Sequence, residues 1–180
     1  MILTGDRVVL RPGAEADVAR LLSIRREPEV ARRWGDFEDG EIKERFLRDQ
    51  TVFVIEVDGE VVGGIQFGEE EDPMYRHAGI DIFVATAHHR RGIATDAIRT
   101  LARYLFDVKG HHRLSIDPAV DNRAAIAVYV KVGFRPVGVM RAYERGPDGT
   151  WHDGLLMDLL EAELTRGSRD ADPAAASLTD

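Results

Sequence analysis

Cysteine is absent from the 180 residues, which removes disulfide frameworks, thiolate metal sites and cysteine nucleophiles from consideration together. Basic charge is scarce: Lys+Arg 24 against Asp+Glu 32 leaves a formal net charge of -8. That balance argues against a surface that tracks nucleic-acid phosphates and favours neutral or cationic partners. Long apolar runs are missing too, since none approaches the roughly 20 residues of a membrane span. The opening Met1-Ile2-Leu3-Thr4-Gly5-Asp6-Arg7 lacks the basic and then apolar regions of a secretion signal. A cytoplasmic protein that binds neither nucleic acid nor membrane is expected. Metal-ligand spacing is absent as well. His88-His89 and His111-His112 are adjacent pairs whose side chains point apart on a strand or loop, and no acidic partner completes a site, so no metal is expected. What is present is ordinary for a folded chain: 44% hydrophobic residues and a length that suits one domain with a short extra segment.

Hydrophobic periodicity divides the chain into alternating elements. Arg7 to Arg11 reads as a strand stopped by Pro12-Gly13, after which Val18, Leu21, Leu22 and Ile24 share a helical face. Glu27-Pro28 interrupts that pattern. Val30 to Trp34 resumes it, Asp36 to Gly40 makes an acidic loop, and Ile42, Phe46 and Leu47 mark a further amphipathic segment. Thr51 to Val57 and Val61 to Phe67 flank Asp58-Gly59, a two-residue hairpin signal. Tyr75 to Ala85 is long enough for a central strand. Gly92 to Phe106 is the clearest amphipathic helix, Leu114 to Asp117 a short strand, and Asn122 to Val132 a helix capped at Gly133. A strand from Phe134 and another over Trp151 to Leu160 meet at Pro147-Asp148-Gly149. Residues 1–166 are expected to form a single domain, and 167–180, poor in apolar residues, a disordered tail. The fold class is α/β, with a mixed sheet and helices on both faces.

The segment richest in chemistry is Ala87-His88-His89-Arg90-Arg91-Gly92-Ile93-Ala94, a basic turn between a strand and a long helix. Free N–H groups at a helix start converge on an anion, the helix dipole adds positive potential, and Gly92 lets backbone approach without a Cβ. A solvated helix start with incidental arginines is the bland reading. Arg91-Gly92-Ile93-Ala94, followed by Asn122 and then Tyr129-Val130-Lys131-Val132-Gly133-Phe134, resembles the GNAT superfamily of acyl-CoA-dependent N-acetyltransferases. That family's loop pattern is Arg/Gln-x-x-Gly-x-Gly/Ala, and here His89 stands at its opening position. Its distal-helix pattern, Asn, Ala, then Tyr-x-Lys-x-Gly-Phe, is met at every position, and the resemblance spans roughly residues 5 to 160. Arg33-Trp34-Gly35, Gly79-Ile80-Asp81 and Asp117-Pro118 are similar to the aminoglycoside 6'-N-acetyltransferases.

The resemblance implies a mostly antiparallel central sheet, splayed at the strand before the pyrophosphate loop, with acetyl-CoA as co-substrate. It implies cofactor contacts from Phe83, Val84, His89, Arg90, Arg91, Gly92, Ile93, Ala94, Thr95 and Asn122, with a backbone N–H near Val84 polarising the thioester carbonyl. Asn122 also reads as a plain N-cap. Asp81 is the lone carboxylate in an apolar strand, so desolvation should raise its pKa towards that of a base; it could equally anchor the ammonium or bond a loop amide. Tyr129 reads either as a core aromatic or, by resemblance, as the acid that protonates the departing thiolate. Trp34 is a core residue or a flat wall for a sugar ring.

A polyamine acceptor would be drawn to carboxylates, and Asp36, Glu70, Asp81 and Asp117 are candidates to hold it. The expected reaction moves an acetyl group to a primary amine of a small cation, an aminoglycoside first of all. A protein N-terminal acetyltransferase of the ribosomal-protein-modifying kind and a silent acyl-CoA-binding sensor are the competing readings. Monomer and homodimer both stay open.

Overall fold

The hairpin around Asp58-Gly59 is the centre from which the sheet grows in both directions. The computed structural model describes residues 1–35 and 38–165. β3 (Val52–Val57) and β4 (Glu60–Glu70) pair antiparallel, and Asp58 and Gly59 both take positive φ, as a two-residue turn of this kind requires. Outward from β3 lie β2 (Val9–Arg11) and a two-residue β1 (Leu3–Thr4), which carries no sequence signal of its own. On the other side, β4 pairs along its length with β5 (His77–Val84). The order is β1-β2-β3-β4-β5-β6-β8-β7, where β6 is Arg113–Ile116, β7 Arg135–Arg145 and β8 Trp151–Leu160. Every pairing is antiparallel except β5 with β6.

That one parallel pairing is also the shortest on the sheet's long strands. It holds only Ala78 opposite Leu114 and Gly79 opposite Ser115. From Ile80 onward β5 leaves β6, and the sheet opens into a V at the strand the sequence places before the basic turn.

Helices cover both faces, as expected. α1 (Val18–Arg25), α2 (Pro28–Trp34) and α3 (Asp39–Arg48) bury Leu21, Ile24, Val30, Ile42 and Phe46 against Val52, Val54, Val61, Phe83 and Ala85. Gly64 makes this possible, because a Cβ there would stand 2.5 Å from the Phe46 ring. On the opposite face α4 (Ile93–Arg103) and α5 (Arg123–Val132) form the larger core, with Ile93, Ala97, Ile98, Leu101, Tyr129 and Val132 against β-strand residues such as Ile65, Ile80 and Leu114. Burying each large side chain contributes about 1.5–3 kcal/mol. The helical stretch continues past α4 as a wider turn over Tyr104–Val108. The expected tail of 167–180 lies outside the described residues.

Candidate active site

The basic turn has the geometry of an anion cradle. Arg90 has φ 57 and Gly92 φ 80, so two left-handed residues bracket the Arg91 peptide units. A non-glycine residue in that region costs about 1–2 kcal/mol, and strain of this kind is characteristic of functional loops. Gly92 is the N-cap of α4, and the first helical bond runs from Asp96 N–H to the Gly92 carbonyl at 3.0 Å. The N–H groups of Ile93, Ala94 and Thr95 therefore have no earlier helical carbonyl to bond and face out with the dipole's positive end. His89 donates from its side chain in the other direction: its Nε2 lies 2.8 Å from the Val84 carbonyl, at the free end of β5. His88 turns instead towards Arg91, with Nδ1 3.3 Å from the guanidinium, so the two histidines do point apart.

Across the V, Asn122 caps α5, its Oδ1 accepting from Ala125 N–H at 3.3 Å. Tyr129 is 8% exposed and edges against Phe134, 6.2 Å between ring centres. Its hydroxyl meets no hydrogen-bond partner among the described residues and is not one of the sealed polar atoms. Burial, reinforced by the charges of Asp81 and Asp117, holds the phenol well above its ordinary pKa. The group stays protonated at neutral pH.

Asp81 sits on β5 opposite Gln66 of β4, whose Nε2 donates to it at 3.0 Å. Solvent reaches the carboxylate, yet the walls of the V desolvate it enough to raise its pKa; the Gln66 bond opposes that shift and the charge of Asp117 adds to it. Asp117 accepts from the Tyr143 hydroxyl at 2.8 Å, which, with burial, pushes that phenol up to about 12. Glu144 is raised by burial first and then by Asp117. The carboxylates of Asp81, Asp117 and Glu144 thus feel one another across the cleft. Beside them a pocket of about 470 Å3 is lined by Trp34, Gly35, Glu144, Arg145, Gly146, Pro147 and Gly149.

Trp34 is partly buried and lies between the core and a pocket. Its ring meets Phe83 edge-on at 5.1 Å and lies 5.0 Å from the buried Arg25 guanidinium, while another side of it lines the pocket. Arg25 also donates to the Trp34 carbonyl at 3.1 Å. The side chain of Phe83 packs into the α1–α3 core between Trp34 and Phe46, and its backbone fronts the open edge of β5. Glu70 stands apart from the other expected acceptor residues. It lies four residues from Gln66 along β4, roughly 13 Å by strand rise, where its carboxylate caps the Asp72 N–H. Asp36 lies outside the described residues. Sequence reasoning missed Gln66, Tyr143 and Glu144, none of which carries a local signal.

Comparison with known proteins agrees with this geometry. The model of the Acetyltransferase (GNAT) family matches residues 18–134, from α1 through the whole of α5. The chain belongs to the GNAT family. Among curated relatives, this acetyltransferase is 27% identical over 162 residues to spermidine N(1)-acetyltransferase of Escherichia coli K12, covering 86% of each chain. It is 28% identical over 168 residues to aminoglycoside N(6')-acetyltransferase type 1 of Klebsiella pneumoniae, covering 81% of each. Among solved structures, RimJ of Mycobacterium smegmatis in complex with CoA-disulfide superposes with a TM-score of 0.78 at 28% identity, over 93% of this chain and 90% of that one. GNAT acetyltransferases use acetyl-CoA, and the residues here suit it. Gly92 leaves a Cβ-free approach, the N–H groups of α4 face outward, and the open edge of β5 lacks a strand partner. Among the described residues no group of three His, Asp or Glu stands ready for a metal ion, and no helix is long and apolar enough to cross a membrane.

Proposed function

We propose that the chain acetylates a primary amine of a small polycation, with aminoglycosides as the acceptor class. The observation that carries this reading is the convergence of Asp81, Asp117 and Glu144 beside a pocket walled by Trp34. Several carboxylates sharing one cleft suit a ligand with several ammonium groups, and a half-exposed indole suits the flat face of an aminosugar. Acetyl-CoA, when bound, supplies the thioester-activated acetyl group.

The protein's part is positional and electrostatic. Asp81 holds the acceptor ammonium and takes its proton, directly or through water, with a basicity that burial has raised. Asp117 and Glu144 hold further ammonium groups and fix which amine faces β5. Backbone N–H groups along the open edge near Val84 are aimed where negative charge develops on the acyl oxygen. Tyr129 keeps a proton on Oη for the departing sulfur. His89, through the Val84 carbonyl, sets the end of that strand.

A second reading, acetylation of a protein N-terminus, draws on the 28% identity to RimJ over 93% of the chain. Thiol release from acetyl-CoA, run against kanamycin, spermidine and an alanine-initiated peptide, separates the readings. Turnover led by kanamycin supports the proposal; turnover on the peptide alone replaces it.

A further inference from the structure

The N-terminal turn between β1 and β2 is wrapped around one carboxylate of the cofactor helix. Asp96, 9% exposed, lies in the first turn of α4 and accepts three backbone N–H groups: Asp6 at 3.0 Å, Arg7 at 2.7 Å and Val8 at 3.0 Å. The approach is close enough that a Cβ on Gly5 would stand 2.5 Å from Thr100 Oγ1 and 2.7 Å from Asp96 Oδ2. This anchorage carries the Arg7 side chain to the basic turn, where its Nη1 donates to the Arg91 carbonyl at 2.7 Å. No ion pair among the described residues uses Arg7, and its side chain is exposed.

The consequence follows from the planarity of the peptide group. In a trans peptide the carbonyl and the following N–H point in opposite directions. Pinning the Arg91 carbonyl towards Arg7 therefore aims the Gly92 N–H the other way, out of the turn, and that N–H meets no acceptor among the described residues. This peptide unit ends on Gly92, at φ 80, where the missing Cβ leaves little steric resistance to a change of φ and hence to a flip. A charge-assisted bond is about twice as strong as a neutral one and suits that task.

We propose that Arg7 is a positioning residue for the anion-binding turn: it locks the Arg91–Gly92 peptide with its N–H facing the pyrophosphate position and places one positive charge behind the turn. The role concerns acetyl-CoA alone and is independent of the acceptor assigned above.

The test uses the full chain without acceptor. Calorimetric titration with CoA is paired with the rate of tryptic cleavage after Arg90 and Arg91, and with the melting temperature as a check on folding. Arg7→Ala is expected to weaken CoA binding about tenfold and to speed cleavage in the turn several-fold, with melting little changed because the side chain is exposed. Arg7→Lys, which keeps the charge without the guanidinium fork, is expected to recover only part of the affinity. CoA affinity within twofold of the parent in Arg7→Ala overturns the proposal. Full recovery by Arg7→Lys together with unchanged cleavage overturns the positioning role and leaves a charge effect only.

Discussion

The two walls of the cleft are built on opposite plans. The proposed cofactor wall, residues 85 to 96, is one continuous stretch that offers backbone N–H donors, held from behind by side chains: Glu27 accepts from Thr86 N–H at 2.7 Å, His89 bonds Val84, and Arg7 bonds Arg91. The proposed acceptor wall is assembled from α2, β4, β5, the turn after β6 and the β7–β8 hairpin, and the groups it presents are carboxylates. The difference teaches where specificity can vary. A wall made of backbone tolerates side-chain change provided its dihedrals hold, whereas every residue of the carboxylate wall is a separate choice.

The largest expected effect falls where the two walls meet. Asp81→Asn should lower kcat/KM by about 10² to 10⁴-fold, the usual contribution of a general base. The same change should raise the melting temperature at pH 7. The sign follows from the raised pKa: the folded chain favours the protonated carboxyl, so the cost of the ionised form is absent in acid, grows as pH rises through the ordinary carboxylate range, and is full above the folded pKa. Melting curves of both proteins should therefore converge as the pH falls and separate as it rises. Equal melting at all pH values would show that Asp81 ionises without penalty.

Next in size is a change to the cofactor wall. Gly92→Ala forces a side chain into φ 80 at a cost of about 1–2 kcal/mol, corresponding to roughly five- to thirtyfold weaker CoA binding if the turn relaxes to relieve it. Acceptor KM should not move. A loss of acceptor affinity of the same size would break the division into two walls.

How much of each wall could be read in the sequence follows from the same division. The basic turn, Gly92, the α4 periodicity and the cap at Asn122 are local patterns, and they stand where the pattern placed them. The splay is less local and was implied only by the family resemblance, while Asp81 inside an apolar strand marked a carboxylate whose desolvation would raise its pKa. Gln66, Tyr143 and Glu144 were invisible, because what brings them to the proposed site is a register or a crossing: Gln66 meets Asp81 15 residues away, and Tyr143 meets Asp117 26 residues away. Glu70 shows the converse error. A run of acidic residues over Glu69 to Asp72 implied a binding face, but strand alternation sends Glu69 to His111 and Lys109, and strand rise carries Glu70 far from Asp81. Phe83 sits in the right strand and faces the other core for the same reason of alternation.

A smaller effect is expected at Glu144. Glu144→Gln removes a charge without removing volume, so acceptor KM should rise about fivefold, as the loss of one partly exposed ion pair allows. The kcat and the affinity for CoA should stay near the parent values. Raising the salt concentration should narrow the gap between the two proteins, since screening weakens the parent's advantage. A gap insensitive to salt would mean that Glu144 acts by shaping the hairpin and not by its charge.

The smallest effect concerns an ion pair between the end of α2 and the segment before α5. Arg33 at the end of α2 donates to Asp121 just before α5, at 2.5 Å, and this contact lowers the Asp121 pKa, chiefly through the hydrogen bond. It links Trp34, which neighbours Arg33, to Asn122, which neighbours Asp121, and so ties acceptor wall to cofactor wall. Asp121 is largely exposed, so a double-mutant cycle with Arg33→Ala and Asp121→Ala should give a coupling of about 0.5 kcal/mol or less in stability. The same cycle on binding should show CoA affinity unaffected by acceptor and acceptor affinity unaffected by CoA beyond that amount. Coupling well above about 1 kcal/mol would mean that the pair transmits occupancy from one wall to the other. In that case the two walls form a single device, and order of binding becomes a property of Arg33 and Asp121.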